Sequence, residues 1–149
     1  MILFSRTVLI TLSLCFSSGV QANCFPYAAS RFGVDETILR AIARVESGFN
    51  GQALNVNKNA SYDIGMMQIN SIHKDTLEKT GLTMTDLLEP CTNVIVGAWL
   101  LERAIQRSDG DIWKGVGRYH SGTPELALSY TQKVRKAHVA LSAQQADGK

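Results

Sequence analysis

Glu46 is the residue whose setting most suggests chemistry. It falls in the last turn of an apolar helical stretch, Asp35 to Ser47, where the helix macrodipole disfavours an anion. Burial against the apolar face would raise its pKa further, as a general acid requires. A glutamate on a solvated helix face is the ordinary alternative, so Glu46 alone decides little. Asp63 offers a second carboxyl group 17 residues later. Its setting, Ser61-Tyr62-Asp63-Ile64-Gly65, is also that of a hairpin turn in which an aspartate merely accepts backbone hydrogen bonds. Both readings of Asp63 stand at this level. Gln68 and Asn70 bring side-chain amides just beyond it. No pair among the three histidines has ligand spacing, and no glycine-rich phosphate loop occurs. No metal and no cofactor is implied.

These side chains must be positioned by mostly helical elements. Asp35 to Ser47 has an acidic start, with Ile38, Leu39, Ile42 and Val45 along one face. Asn50 to Asp63 is rich in Asn, Asp, Ser and Gly without periodicity, which predicts a loop or small hairpin. Thr92 to Arg107 is the strongest helix, placing Val94, Ile95, Ala98, Leu101 and Ile105 together. Ile112 to Tyr119 predicts a short helix, and Pro124 to Leu141 a longer one with proline in its first turn. His73 and His138 read as surface residues. The expected organisation is one domain over residues 23–142, mainly α, with a polar insertion beside Glu46. Residues 143–149 are expected to form a flexible tail.

Composition limits the classes further. At 45% hydrophobic and 19% charged, the 149-residue chain is too apolar for a disordered polypeptide. A net charge of +2, with no long run of one sign, argues against a nucleic-acid binder. Residues 1–22 read as a signal peptide: Arg6 is the positive start, Thr7 to Phe16 the apolar core, Val20-Gln21-Ala22 the small-residue cleavage site. That core is shorter than the roughly 20 residues a bilayer span needs, so membrane contact is expected only transiently. Leu14 stands where a lipidation signal wants a small residue, which excludes a lipoprotein reading of Cys15. Cleavage after Ala22 leaves Cys24 and Cys91, and an even count in an exported chain implies a disulfide.

The order of short motifs carries more. Glu46-Ser47-Gly48-Phe49-Asn50 leads through Asn55-Val56-Asn57 to Asp63-Ile64-Gly65-Met66-Met67-Gln68-Ile69-Asn70, and Tyr119-His120-Ser121-Gly122 follows. In order and spacing this resembles the Glu-Ser, Gly-Leu-Met-Gln and Tyr-Asn motifs of lytic transglycosylases, the lysozyme-like enzymes that cleave peptidoglycan. The resemblance covers roughly residues 24–140, essentially the mature chain. Short length and a signal peptide further resemble the specialised members that accompany bacterial secretion systems, conjugation machines and pili. Glu46 to Ser71 also resembles the active-site stretch of animal c-type lysozymes, through Phe49-Asn50, Gln52-Ala53, Asn55 with Asn57, Ser61 with Asp63, and Gln68-Ile69-Asn70-Ser71. The second carboxylate of those lysozymes falls on Asp63.

The resemblance implies a lysozyme-like α+β fold, a periplasmic location and glycan strands of peptidoglycan as substrate. It makes Glu46 the acid that protonates the leaving oxygen and then the base that draws a proton from the sugar's 6-hydroxyl. The product is a 1,6-anhydro sugar, and a component of a secretion, conjugation or pilus machine is an implied partner. Ser47, Gly65, Met67, Gln68, Asn70, Tyr119 and His120 take substrate-binding places, with the Tyr119 hydroxyl orienting the catalytic carboxylate. Core packing is the competing reading for Met67, and a buried structural role for Tyr119. Arg118 and His120 depart from the family, which more often shows Ala and Asn there. A muramidase that uses water with Glu46 and Asp63, or a silent wall-binding module, are the alternatives.

Overall fold

The helix that carries Glu46 turns on a capped start and a glycine stop. In the computed structural model, which describes residues 19–147, the Asp35 carboxylate accepts the Ile38 N–H at 2.8 Å and opens α2 (Glu36–Ser47). Gly48, at φ +61°, closes it by turning its N–H back to the carbonyls of Ala43 and Arg44. The helix buries Ile38, Leu39, Ala41, Ile42 and Ala43. It is preceded by α1 (Gly19–Phe32). The leader expected over residues 1–22 lies outside the described residues through residue 18.

Three short strands follow, where a loop or hairpin was expected. They are β1 (Leu54–Val56), β2 (Tyr62–Ile64) and β3 (Ile69–Asn70), antiparallel in that order. Asn55 pairs with Asp63 and Asp63 with Asn70, so one polar row crosses the sheet. The alternate residues Ile64 and Ile69 are buried, as the period of two requires.

The short α3 (Lys74–Glu78) leads to α4 (Pro90–Gln106), the central helix. Glu89 caps α4 by accepting the Cys91 N–H at 3.0 Å, and Pro90 occupies its first turn. Its inner stripe of Asn93, Val94, Gly97, Ala98, Leu101 and Ala104 is buried. Helices α5 (Ile112–His120) and α6 (Pro124–Asp147) complete the domain, with Asp111 capping α5 on Lys114 N–H at 3.0 Å. Glycines let α5 approach α4 on one side and α6 on the other. A Cβ at Gly115 would stand 2.4 Å from Ile105 Cγ1, and one at Gly117 would stand 2.8 Å from Thr131 Oγ1.

The helix of α6 continues six residues past Leu141, where a fraying tail was expected, because Ser142-Ala-Gln-Gln-Ala-Asp contains good helix formers and no breaker. His138 is not a free surface residue either. Its ring meets Trp113 edge-on with centroids 5.7 Å apart, and Nε2 lies 3.9 Å from Asp35.

Cys24 of α1 and Cys91 of α4 are disulfide-bonded across a separation of 67 residues. Closing a loop of that length constrains the unfolded chain by about 4 kcal/mol on the chain-entropy account. Thermal melts with and without reductant are expected to show a clear drop in Tm once both thiols titrate as free.

Candidate active site

The segment between β2 and β3 is held from three sides. Asn93 of α4, fully buried, uses its whole amide on backbone: Oδ1 accepts the Met67 N–H at 2.7 Å, and Nδ2 donates to the carbonyls of Ile64 at 2.9 Å and Leu87 at 3.0 Å. From α2 the Ser47 hydroxyl donates to the Met66 carbonyl at 2.8 Å. From α5 the Tyr119 hydroxyl donates to the Met67 carbonyl, also at 2.8 Å. Gly65 sits at φ +77°, and a Cβ there would come within 2.3 Å of Asn93 Nδ2. The turn therefore requires glycine on two counts.

Above this turn lies an open cleft of about 880 Å³. Glu46, Asp63, Gln68, Asn70, Tyr119 and His120 line it, joined by Asn55, Asn57 and His73. Glu46 is partly buried in the last turn of α2, and its Oε1 accepts a 2.6 Å hydrogen bond from the Tyr130 hydroxyl of α6. Its pKa is pushed from 4.5 up to about 7. Desolvation by burial is the largest cause; the Tyr130 hydrogen bond opposes it, Asp63 adds to it, and Lys133 opposes it. Burial and the acid across the cleft thus outweigh the hydrogen bond and the cation.

Asp63 is held by amides. Asn57 Nδ2 donates to its Oδ2 at 2.8 Å and Asn70 Nδ2 to its Oδ1 at 2.7 Å, and both asparagines also reach the Ser61 hydroxyl. Burial and the facing carboxyl groups push the Tyr119 and Tyr130 phenols upward, so both remain protonated donors. The His120 ring stacks flat on Tyr130, with centroids 4.3 Å apart and planes 2° from parallel. Burial lowers its pKa, Lys133 lowers it further, and Asp63 opposes them. Gln68 donates from Nε2 to the Gly65 carbonyl at 2.8 Å and accepts from the Asn55 amide. Among the described residues no group of three His, Cys, Asp or Glu is placed to hold a metal ion.

Three of the residues expected to touch substrate do not face the cleft. Met67 is completely buried and packs on Gly97, where a Cβ would lie 2.8 Å from its Cγ, because the turn directs this side chain into the core. Ser47 and Gly65 serve the turn itself, one by its hydroxyl and the other by its missing side chain. Tyr119 does line the cleft, but its hydroxyl is committed to Met67; the tyrosine that bonds Glu46 is Tyr130. His73, expected on the surface, is half-buried in the cleft wall, where burial and then Arg107 and Arg103 lower its pKa. Sequence reasoning missed Tyr130 and Asn93. The available signal for each was a polar group at a core position of a helix, which must find a partner.

Two measurements test this account. Asn93→Ala leaves three backbone groups of the turn without their partner, and urea denaturation is expected to show a loss of about 3 kcal/mol. For Glu46, the folded pKa of about 7 exceeds the unfolded 4.5, so ionisation favours the unfolded chain. Stability present below pH 4.5 is therefore lost as pH rises to about 7 and is level beyond it. Glu46→Gln removes the titration, and above pH 7 it is expected to exceed wild type on the order of 2 kcal/mol, a figure reduced for partial exposure. Parallel melts across pH check the sign.

Residues 23–139 match the Transglycosylase SLT domain family. Protein IpgF of Shigella flexneri is 36% identical over 146 residues, covering 94% of this chain and 94% of that protein. Invasion protein IagB of Salmonella typhimurium (strain SL1344) is 35% identical over 133 residues, covering 86% of this chain and 82% of that protein. Among solved structures, an inactive mutant of the lytic transglycosylase Slt from Pseudomonas aeruginosa superimposes with a TM-score of 0.70 at 18% identity. That likeness covers 87% of this chain and 25% of the larger one, and at such identity it speaks for the lysozyme-like fold. With the family matched across most of its length and relatives aligned almost end to end, the chain belongs to the SLT family of peptidoglycan lytic transglycosylases.

Proposed function

We propose that the protein is a periplasmic lytic transglycosylase that cleaves the bond from N-acetylmuramic acid to N-acetylglucosamine without water, leaving a 1,6-anhydro end. The observation that carries this reading is one carboxyl group, Glu46, with its pKa pushed up to about 7 in an open cleft. A group that titrates near neutrality can serve first as acid and then as base. Glu46 gives its proton to the glycosidic oxygen as the bond to the muramic C1 breaks. The sugar's own acetamido group supports the positive charge at C1. The Glu46 carboxylate then takes the proton from the 6-hydroxyl of the same sugar, whose oxygen closes onto C1. No water enters, and Glu46 ends protonated as it began. Tyr130 holds Oε1, which leaves Oε2 for the proton.

Asp63 contributes negative potential to Glu46, while Asn57 and Asn70 engage both its oxygens. That arrangement suits an electrostatic role better than a nucleophilic one. A hydrolytic muramidase remains the second reading because Asp63 shares the cleft with Glu46. Export is supported by the leader pattern and the disulfide. Pro26 agrees with it: a mature chain starting at Asn23 would place this proline in the first turn of α1, where amide donors lack partners anyway. Local opening of the wall for a secretion, conjugation or pilus apparatus is the proposed task, supported by small size and by similarity to an invasion protein.

Mass analysis of fragments from purified peptidoglycan tests the reaction. Fragments one water lighter than hydrolytic ones are expected, with turnover falling about a thousandfold in Glu46→Gln. Reducing-end fragments would move the assignment to a muramidase. Binding without fragments would make it a silent wall-binding module.

A further inference from the structure

Tyr130 is only 4% exposed and does not line the catalytic cleft, although its hydroxyl donates to Glu46 at 2.6 Å. The imidazole of His120 does line the cleft, and it lies flat on the Tyr130 ring with centroids 4.3 Å apart and planes 2° from parallel. We infer that His120 is a positioning residue: its ring covers Tyr130 and so keeps water from the Tyr130–Glu46 pair. The inference rests on Glu46 being the acid of the proposed reaction, and adds the side chain that keeps that acid dry.

The crossing of two helices puts ring on ring. His120 is the last residue of α5, after which Ser121 turns into extended backbone. One turn earlier, Gly117 lets α6 come close: a Cβ there would stand 3.0 Å from the Ala127 carbonyl. Ala127 in turn lies three residues, about one helical turn, before Tyr130. His120 as a whole is exposed, so the core does not need it. A flat aromatic stack covers the ring beneath whether or not its own nitrogens find partners.

Charge does not account for the contact. Burial, and then Lys133, hold the His120 pKa below its ordinary value against the pull of Asp63, so the ring is neutral where Glu46 titrates. The charged and titratable groups that act on Glu46 itself are Tyr130 and Lys133 of α6 and Asp63 of β2, while Tyr119 of α5 feels its charge in return. Desolvation outweighs them all, so a residue that excludes water works on the dominant cause. The two effects also differ in sign. Admitting water lowers the Glu46 pKa, whereas removing a nearby cation would raise it.

The test follows the Glu46 carboxyl by carbon-13 NMR of protein labelled at its glutamate carboxyl groups, the Glu46 signal being the one absent from Glu46→Gln. Wild type is expected to titrate at about 7. His120→Ala and His120→Asn, which have no ring, are expected to titrate about one pH unit lower. His120→Phe keeps a ring without a hydrogen-bonding nitrogen and is expected to titrate with wild type. On peptidoglycan, the basic limb of kcat/KM is expected to move with each titration. A residue that served by hydrogen-bonding substrate would give the reverse order, with Asn tolerated and Phe deficient. One that served the fold alone would lower Tm and leave the titration in place. Either result overturns the inference, as does a His120→Phe protein that titrates with His120→Ala. Failure of the reaction assignment is separable: the NMR titration needs no substrate, so its shifts stand whatever fragments the digests yield.

Discussion

The amide of Asn93 is the interaction on which the site depends. One buried side chain satisfies an N–H and two carbonyls, at the end of β2, in the turn after it and at Leu87. A buried backbone group left unpaired costs about as much as several surface contacts contribute. The turn after β2 can therefore run through the interior only because α4 carries a polar residue on its inner stripe. Once Met67 is placed, the Tyr119 hydroxyl has its acceptor, Gln68 is turned toward Gly65, and β3 begins in register with Asp63. The polar row of the sheet and the wall of the cleft follow from one amide.

The acid is set by opposing effects of unequal size. Tyr130 and Lys133 favour the Glu46 anion, while burial and Asp63 disfavour it, and the second pair prevails. Because the phenol of Tyr130 stays protonated, it donates to Glu46 whichever state the glutamate holds. Alignment is thus separated from acidity. His120, stacked on the same phenol, stiffens the ring without competing for the carboxylate.

Much of this was legible from residues alone. Periodicity located α2, α4 and α5 to within a few residues, and the polar insertion was placed beside Glu46. The family motifs identified most of the cleft's lining. They could not say which face of a turn each residue takes, and Met67 shows why. A methionine satisfies a pocket and a core equally well, and only the closeness of Gly97 decides between them. Tyr130 was invisible for another reason: it lies outside every motif quoted and meets Glu46 from 84 residues away. Asn93 is hidden in the sequence because one polar residue barely disturbs an apolar stripe.

The contact between Tyr130 and Glu46 also imposes an order in time. A chain that emerges from its N-terminus presents Glu46 early, together with the sheet and the turn that complete one side of the cleft. The phenol that aligns the carboxyl group arrives with α6, the last helix. Without α6, Glu46 lacks that alignment. A chain cut short before residue 130 would carry its acid without the phenol that orients it.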